Sequence, residues 1–390
     1  MRNLKRALSL ALAAIMLVGM MVVSASAASY NNLTDKDEIV NKDAVSMLVS
    51  LGIIEGKPDG SYGPTENVDR AQMAKMLSVI MNKGVDNSAL YQSVNSGLTD
   101  ITSHWAKGHI NYCYTTGIIA GRGTGTFDPS ATVTALEAAK MLLVAVGYDP
   151  AIEGFEGADW AINVSVRADE QGIFEGFTKD LSAPLNRDDA ALLIYNALDV
   201  EMIQSYTTNN YPIVYSDHRT ILSDKYGVIK VEGVVTANEW AILDDDTDTA
   251  LQEGKTRIYN PDGILSTTGN TAVAQDSSAN VKTQVFNVST PVDMLGKAVT
   301  MYVKKTTILA DSTVYGAPVV SDVNTVIETG EKVTGGDSKD DDSLAALLKG
   351  TGLATDKATE YYHNYEEVAI DSADVDDIMN VKGAALTVID

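Results

Sequence analysis

Residues 52–56 read Gly-Ile-Ile-Glu-Gly, and the motif returns as Gly-Ile-Ile-Ala-Gly at 117–121 and as Gly-Ile-Phe-Glu-Gly at 172–176. A second block follows each copy and joins a polar start to an apolar run: residues 68–77, 133–142 and 185–194. Two motifs that recur three times in one order indicate an internal repeat. Three copies of one unit are therefore predicted to form the first half of the chain.

Each repeat has the pattern of a helix, a loop and a second helix. The first helix of repeat 1 is predicted over residues 41–51, because its apolar residues fall on one face at helical spacing. The second helix of each repeat is preceded by a residue that favours the N-cap: Asp69, Thr134 and Asn186. A two-helix unit cannot bury its apolar stripe alone, so the three units are expected to share a core.

Composition excludes several classes of protein. The 390 residues carry 29 Lys and Arg against 53 Asp and Glu, a net charge of −24. An acidic chain without basic clusters is not expected to bind nucleic acid, whose phosphates require cations. A single cysteine, Cys113, excludes an intrachain disulfide framework and a cysteine-based zinc site.

The N-terminus has the pattern of a secretory signal peptide, predicted over residues 1–27. Arg2, Lys5 and Arg6 precede an apolar run over residues 7–23, and Ala25-Ser26-Ala27 offers a small-residue cleavage site. The alternative is a membrane anchor, for which 17 apolar residues are at the short limit. We expect an exported protein of a Gram-positive-type surface, with no membrane segment after cleavage.

Two arginines occupy the first position of a second helix, Arg70 in repeat 1 and Arg187 in repeat 3, whereas repeat 2 has Ala135. A cation there opposes the helix dipole, but the helix end also offers free N–H groups that suit an anion. One interpretation is an anion-binding site for a carboxylate or phosphate. The other is a solvated arginine paired with Asp69 or Asp188.

The opening of each repeat carries a further motif. Repeat 2 has Leu98-Thr99-Asp100 followed by His104-Trp105-Ala106; repeat 1 has Leu33-Thr34-Asp35 but Ile39-Val40; repeat 3 has Asp159-Trp160-Ala161. With the Gly-Ile-Ile-x-Gly motif and the helix starts, these segments resemble S-layer homology repeats, over about residues 32–200. The predicted boundaries of the three repeats are 28–92, 93–150 and 151–204.

The resemblance implies an all-α triple-repeat bundle, a pseudo-trimer of helix–loop–helix units whose grooves bind secondary cell-wall polysaccharide, commonly pyruvylated. The residues that match the family's contact positions are Arg70, Arg187, Asp35, Asp100, Trp105 and Trp160, with Lys57 and Arg122 in the loops. Alternatives remain: Asp100 can cap the following helix, and the two tryptophans can be core residues. Val40 and Ala135 depart from the family pattern, so at least one groove is expected to be altered.

Residues 205–390 are predicted to form a mainly-β region. Short β-rich runs occupy residues 227–237, 256–259, 283–288, 298–307 and 314–320. Residues 334–343 are acidic and Gly-rich, as in a surface loop, and the chain ends on a strand-like run at 384–390. That ending is expected of a piece of a longer surface protein.

Catalytic and metal-binding motifs are scarce. Asp244, Asp246 and Asp248 imitate part of a calcium loop, but Thr249 and Lys255 replace its Gly and Glu. We therefore expect no cofactor, no metal site, only weak calcium association and no enzymatic activity. The chain is predicted to anchor an S-layer or adhesive element, with other S-layer subunits as partners. The alternative is an anchored polysaccharide hydrolase whose catalytic domain lies in the β part or beyond residue 390.

Overall fold

The computed structural model describes residues 30–243, 250–261, 263–264, 282–304 and 312–321, together with the backbone of strands at 324–328, 362–363, 366–367 and 385–389. Within these residues the chain divides into two compact units. The first contains the chain through Met141 together with Phe174–Tyr195, and the second contains Leu142–Ile173 and the chain from Asn196 onward. The predicted signal peptide, the calcium-like segment at 244–248 and the acidic loop at 334–343 lie outside the described residues.

The α-helices of the described residues form three successive pairs: α1 (Lys42–Ser50), α2 (Arg70–Met81), α3 (Lys107–Thr115), α4 (Ala135–Val146), α5 (Trp160–Glu170) and α6 (Arg187–Leu198). The second helix of each pair begins directly after its predicted N-cap. Asp69 and Gln72 form a full capping box, and Thr134 with Glu137 exchanges the same two bonds. The helix starts predicted from the sequence are therefore confirmed.

The three second helices are joined at their starts by backbone hydrogen bonds within the first unit. The N–H of Val68 donates to the carbonyl of Leu185, that of Leu185 to Val133, and that of Val133 to Val68, at 2.8, 2.7 and 2.9 Å. Each of these residues lies just before a second helix. The bonds therefore form a closed ring with one member from each pair of helices.

The core of the first unit lies beneath these helices. Its large, fully buried side chains include Tyr62 and Phe127 from the loops and Met47, Leu77 and Ile110 from the helices. Burial of one such side chain contributes about 1.5–3 kcal/mol. The apolar stripe predicted for the first helix of repeat 1 is therefore buried.

The second unit contains α5 and most of the β-structure. A hairpin pairs β1 (Ile203–Tyr206) with β2 (Pro212–Val214), and a five-stranded antiparallel sheet has the order β5-β4-β3-β6-β7. Its strands are β3 (Val228–Ala237), β4 (Thr256–Tyr259), β5 (Thr283–Phe286), β6 (Ala298–Lys304) and β7 (Val314–Val320). Four further short strands lie beyond: β8 (Asn324–Glu328), β9 (Tyr362–His363), β10 (Glu366–Glu367) and β11 (Ala385–Ile389).

The predicted change from helices to strands falls between Leu198 and Ile203. Each of the five internal runs predicted as strands contains one, because apolar and polar residues alternate on a half-buried sheet. One face of the sheet covers a core that includes Val231, Ile258 and Phe286. No helix of the described residues is long and apolar enough to cross a bilayer.

Candidate functional site

A cavity of about 280 Å³ lies within the first unit, beside the loop that follows α1. One wall is that loop, another is the face of α2, and Trp105 and Arg187 close it from the other two repeats. The lining residues are Gly52, Ile53, Ile54, Glu55, Gly56, Lys57, Tyr62, Val68, Gln72, Lys75, Met76, Val79, Gly84, Asp86, Trp105 and Arg187. We call this the Arg187 cavity.

The loop of the Arg187 cavity is held in shape by Asp35. Gly52 ends α1 with a positive φ of 70°, which a residue without Cβ adopts at little cost. The Asp35 carboxylate then accepts the N–H groups of Tyr62 and Gly63 at 2.7 and 2.8 Å. Asp100 stands in the same relation to Phe127 and Asp128 in repeat 2, at 2.9 and 2.7 Å. Asp100 thus holds a loop and does not cap the next helix.

The side chain of Arg187 belongs to this loop as well as to its own helix. Its Nε donates to the Tyr62 carbonyl at 2.8 Å, and its Nη2 donates to the Glu55 carbonyl at 3.4 Å. The guanidinium lies over the Tyr62 ring, 4.6 Å from the centroid. Because Arg187 is only half-buried and lines the cavity, it brings a fixed positive charge to an accessible surface.

Arg70 repeats this geometry one repeat further on, but it is buried. Its Nε and Nη2 donate to the carbonyls of Phe127 and Ala120, both at 2.9 Å, and the guanidinium lies 4.4 Å from the Phe127 ring centroid. Only 5% of Arg70 is exposed. Burial lowers the pKa of the guanidinium to about 10, with the nearby Arg122 acting in the same direction.

These contacts revise both interpretations of the helix-start arginines, because they remove the helix ends from an anion site and leave only the guanidinium groups. The N–H groups of Arg70 and Ala71 donate to carbonyls of the repeat 2 loop, and those of Arg187 and Asp188 donate to the repeat 1 loop. The helix ends therefore offer no free N–H groups for an anion. The solvated ion pairs are also wrong, because both arginines donate to backbone carbonyls while Asp188 accepts from Val40 and Asn41.

Trp105 is a surface residue, so its interpretation as a core residue is wrong. It is 56% exposed and lies against His104 and His109, with ring centroids 5.5 and 6.3 Å away. Val40, its counterpart in repeat 1, is 82% exposed. An exposed indole at the edge of a cavity offers a flat apolar face beside a polar N–H.

The charges around the Arg187 cavity favour an anion. Among the side chains that line it, Lys57, Lys75 and Arg187 stand against Glu55 and Asp86, so the lining itself carries a net charge of +1 in a chain whose total is −24. A cationic cavity on a strongly acidic protein attracts anions to one place. Lys57 also forms an ion pair with Glu66 outside the cavity.

The structure brings together three residues predicted for binding: Lys57, Trp105 and Arg187. The other five do not line the cavity: Arg70 is buried, Asp35 holds the cavity's loop from behind, Asp100 holds the loop of repeat 2, Arg122 pairs with Glu137 at 3.0 Å, and Trp160 begins α5. Lys75 and Asp86 line the cavity but were not predicted. The sequence did indicate Lys75, because Lys140 occupies the same position in repeat 2.

A buried histidine lies behind the cavity wall. His109 is 4% exposed, its Nδ1 is 2.6 Å from Ser78 Oγ and its Nε2 is 3.6 Å from Asp86 Oδ2. Burial lowers the pKa of the imidazole, with Asp86 opposing and Lys75 reinforcing that shift. Among the described residues, no group of three or more His, Cys, Asp and Glu side chains is placed to hold a metal ion.

Comparison with known proteins identifies the first two repeats. The profile of the S-layer homology domain matches residues 32–74 and 97–139. A cell surface protein of Thermoanaerobacter kivui is 27% identical over 270 residues, which cover 68% of this chain and 32% of that protein. An S-layer protein of Bacillus licheniformis is 33% identical over 113 residues, 29% of this chain and 12% of its own length. The chain therefore contains S-layer homology domains.

An enzyme is similar in sequence to this chain as well. The amylopullulanase of Thermoanaerobacterium thermosulfurigenes is 30% identical over 173 residues, which cover 40% of this chain and 9% of that enzyme. The chain spans about a third or less of the length of these relatives. The matched profile covers the first two repeats and does not extend to the third.

Proposed function

We propose that this chain attaches a surface protein to the bacterial cell wall by binding secondary wall polysaccharide in the Arg187 cavity. The observation that carries the proposal is the exposed indole of Trp105 in one cavity with Lys57, Lys75 and Arg187. A sugar ring can lie on the indole, while a carboxylate on that sugar interacts with the cations. A pyruvate ketal, which adds one carboxylate to a sugar, fits this combination.

The three repeats are proposed to form a pseudo-trimer, of which the Arg187 cavity is one groove. The closed ring of bonds among Val68, Val133 and Leu185 supports this arrangement, because each repeat takes the same part in it. The matching placements of Arg70 on Phe127 and of Arg187 on Tyr62 support it as well.

The role proposed for the whole chain is that of a secreted, non-enzymatic wall or S-layer protein that needs no cofactor. Relatives named as cell surface and S-layer proteins, from Thermoanaerobacter kivui and Bacillus licheniformis, support this role. The mainly-β region would then serve an S-layer or adhesive function, with other subunits as partners and with calcium in weak association at most.

An anchored polysaccharide hydrolase is the second candidate function. The similarity to the amylopullulanase favours it, since one kind of repeat can attach either a lattice protein or an enzyme. The two candidates share the anchor and differ in what the anchor carries.

Co-sedimentation with purified cell walls tests the anchor. The mature chain should pellet with intact walls and stay in solution with walls stripped of secondary polymer. Lys75→Ala should weaken binding about 10-fold or more, since one charged hydrogen bond contributes about 1.5–3 kcal/mol and about 1.4 kcal/mol is tenfold in affinity. Trp105→Ala should weaken binding as well, because it removes the apolar face on which the sugar ring lies.

Two matched variants control for the loss of an indole and of a charge. Trp240 is 62% exposed in the second unit, and Lys42 is an exposed residue at the start of α1 that does not line the cavity. Trp240→Ala and Lys42→Ala should bind walls like the unchanged protein. Equal binding to stripped walls, or equal losses in the control variants, would contradict the proposal.

A further inference from the structure

A row of contacts leads from the Arg187 cavity into the interior of the first unit. Asp86 and Trp105 line the cavity, and both lie beside His109, which is 4% exposed and does not line it. On its other side His109 contacts Ser78 of α2, which is also buried. The imidazole therefore lies between the wall of the cavity and the core.

The hydrogen bonds of Ser78 determine which nitrogen of neutral His109 carries the hydrogen. The Ser78 hydroxyl donates to the Lys75 carbonyl at 2.9 Å, and a carbonyl can only accept. Because a hydroxyl has one hydrogen, the bond of 2.6 Å between Ser78 Oγ and His109 Nδ1 must use a hydrogen on Nδ1. Neutral His109 therefore has its hydrogen on Nδ1 and leaves Nε2 unprotonated.

The unprotonated Nε2 faces a carboxylate that is held in place. Asp86 Oδ2 lies 3.6 Å from Nε2, and Asp86 Oδ1 accepts the N–H of Ser88 at 2.9 Å. The turn that contains these two residues packs closely on α3, because Gly108 has no Cβ to collide with the Ser88 carbonyl. Two groups that can only accept are thus kept face to face, and a proton on Nε2 would turn their contact into an ion pair.

The surroundings of His109 oppose that proton as long as the cavity holds no anion. Burial lowers the pKa of the imidazole most strongly; Asp86, from the turn after α2, raises it, and Lys75, from α2, lowers it. His104 lies on the other side of Trp105, with ring centroids 5.5 Å apart. A negative charge placed in the cavity would act on the imidazole in the same direction as Asp86. An anion in the cavity therefore favours the charged form of His109.

Protonation of His109 in turn changes the charge that an anion meets. The lining of the cavity carries a net charge of +1, which includes the negative charge of Asp86. A charged imidazole beside Asp86 neutralises that contribution, so that the effective charge of the site rises by one. Anions are then attracted more strongly.

We propose that the binding of an anion in the Arg187 cavity is coupled to the uptake of one proton by His109, so that the wall anchor binds more tightly in mildly acidic surroundings than at neutral pH. This coupling rests on the proposed function and adds a regulation to it. The effect is reciprocal, because a proton that strengthens the binding of an anion is itself bound more strongly when the anion is present.

Wall binding at two pH values tests the coupling. The mature chain is titrated against purified intact walls at about pH 7.5 and about pH 5, on either side of the ordinary histidine pKa, after thermal melting at both values has established folding. The unchanged protein should bind about fivefold more tightly at the lower pH, which is the lower end of typical coupling between two sites. His109→Gln keeps a polar side chain but takes up no proton, so it should bind equally at both values. His104→Gln removes a histidine from the other side of Trp105 and should keep the difference.

Asp86→Asn supplies a second measurement, which decides the question even if His109→Gln does not fold. It removes the negative charge that protonation of His109 neutralises. At the higher pH it should therefore bind walls about as tightly as the unchanged protein does at the lower pH. Asp37→Asn makes the same change of charge at an exposed residue that does not line the cavity, and it should leave the affinity unchanged. A residue that only supported the fold would not raise the affinity when it is replaced.

The outcomes separate this coupling from the anchor itself. Equal binding by the unchanged protein at both pH values, or a difference that persists in His109→Gln, would overturn the coupling and leave the anchor standing. The same holds if Asp86→Asn binds no more tightly than Asp37→Asn at the higher pH. If the unchanged protein binds walls at neither pH, the proposed function fails, and the coupling fails with it.

Discussion

The guanidinium of Arg187 lies 4.6 Å from the centre of the Tyr62 ring and donates to the carbonyl of that same residue, 125 positions earlier in the chain. One side chain thus fixes both the ring and the backbone of a loop in another repeat. Arg70 does the same to Phe127. The arginines at the helix starts therefore join neighbouring repeats, whatever else Arg187 binds.

Arg70→Ala is expected to destabilise the protein by about 2–4 kcal/mol, because it leaves the carbonyls of Phe127 and Ala120 without these donors and removes the guanidinium from the Phe127 ring. This reverses the result expected of a solvated arginine, whose loss would leave stability unchanged or slightly raised. Arg70→Lys should not restore stability, since an ammonium cannot reproduce the planar fork. Denaturant unfolding measures the change.

Arg187→Ala supplies the comparison for Arg70. Arg187 is half-buried and one of its bonds is long, so its loss should cost less than the loss of Arg70. It should instead weaken wall binding. If Arg70→Ala unfolds at the same denaturant concentration as the unchanged protein, the joining role is refuted.

The features that could be predicted from the sequence are those that depend on residues close together in the chain. The second helices begin where Asp69, Thr134 and Asn186 predict, because an N-cap depends on residues three positions apart. The strands follow alternation within five to ten residues. The sequence also indicated three repeats, and the profile match covers two of them.

The site itself was only partly predictable. The partners of Arg187 lie 125 and 132 residues earlier in the chain, and no local pattern reports such a contact. The same is true of Asp86, which enters the cavity from a turn without a motif. Lys75 differs, because its recurrence as Lys140 was visible once the repeats were aligned.

Asp35 and Asp100 are expected to make the free energy of unfolding fall more steeply as the pH is lowered. Desolvation raises the pKa of both carboxyls, but the hydrogen bonds from the N–H groups of the loops outweigh it and lower the pKa of each below the ordinary 3.8. The stability that they contribute is present above pH 3.8 and is lost as the pH falls through the folded-state values. The double variant Asp35→Asn/Asp100→Asn should therefore melt lower at neutral pH, with a flatter dependence on acid. If the double variant loses stability with falling pH as steeply as the unchanged protein, the two carboxylates do not cause the acid sensitivity.

His109 should make stability depend on pH in a higher range. Burial lowers its pKa from 6.5, so the unfolded chain binds more protons than the folded chain between the two values. The fold should lose stability as the pH falls below about 6.5, until the folded-state pKa is passed. His109→Gln should remove this component, and melting from about pH 5 to pH 8 measures it. A variant that keeps the full slope would assign the pH dependence to other groups.

Tyr206 is expected to stabilise the second unit across the predicted boundary of the repeats at residue 204. Its hydroxyl donates to Glu153 Oε1 at 3.0 Å and accepts the N–H of Asp149 at 2.9 Å. The Glu153 side chain is 6% exposed and also pairs with Arg167 at 2.9 Å. Removing the hydroxyl leaves a buried carboxylate oxygen and an N–H without this partner, which costs about 1–3 kcal/mol.

Tyr206→Phe should therefore lower the free energy of unfolding by about that amount, whereas Tyr211→Phe, at a position 69% exposed, should not change it. Both variants lose one hydroxyl and keep the ring, so the difference between them reports the buried contact. Denaturant unfolding of the full chain measures both. Equal free energies of unfolding for the two variants would show that the Tyr206 hydroxyl does not stabilise the fold, and the predicted boundary at residue 204 would stand. A loss confined to Tyr206→Phe would mean that a fragment containing the repeats must keep the hairpin β1–β2.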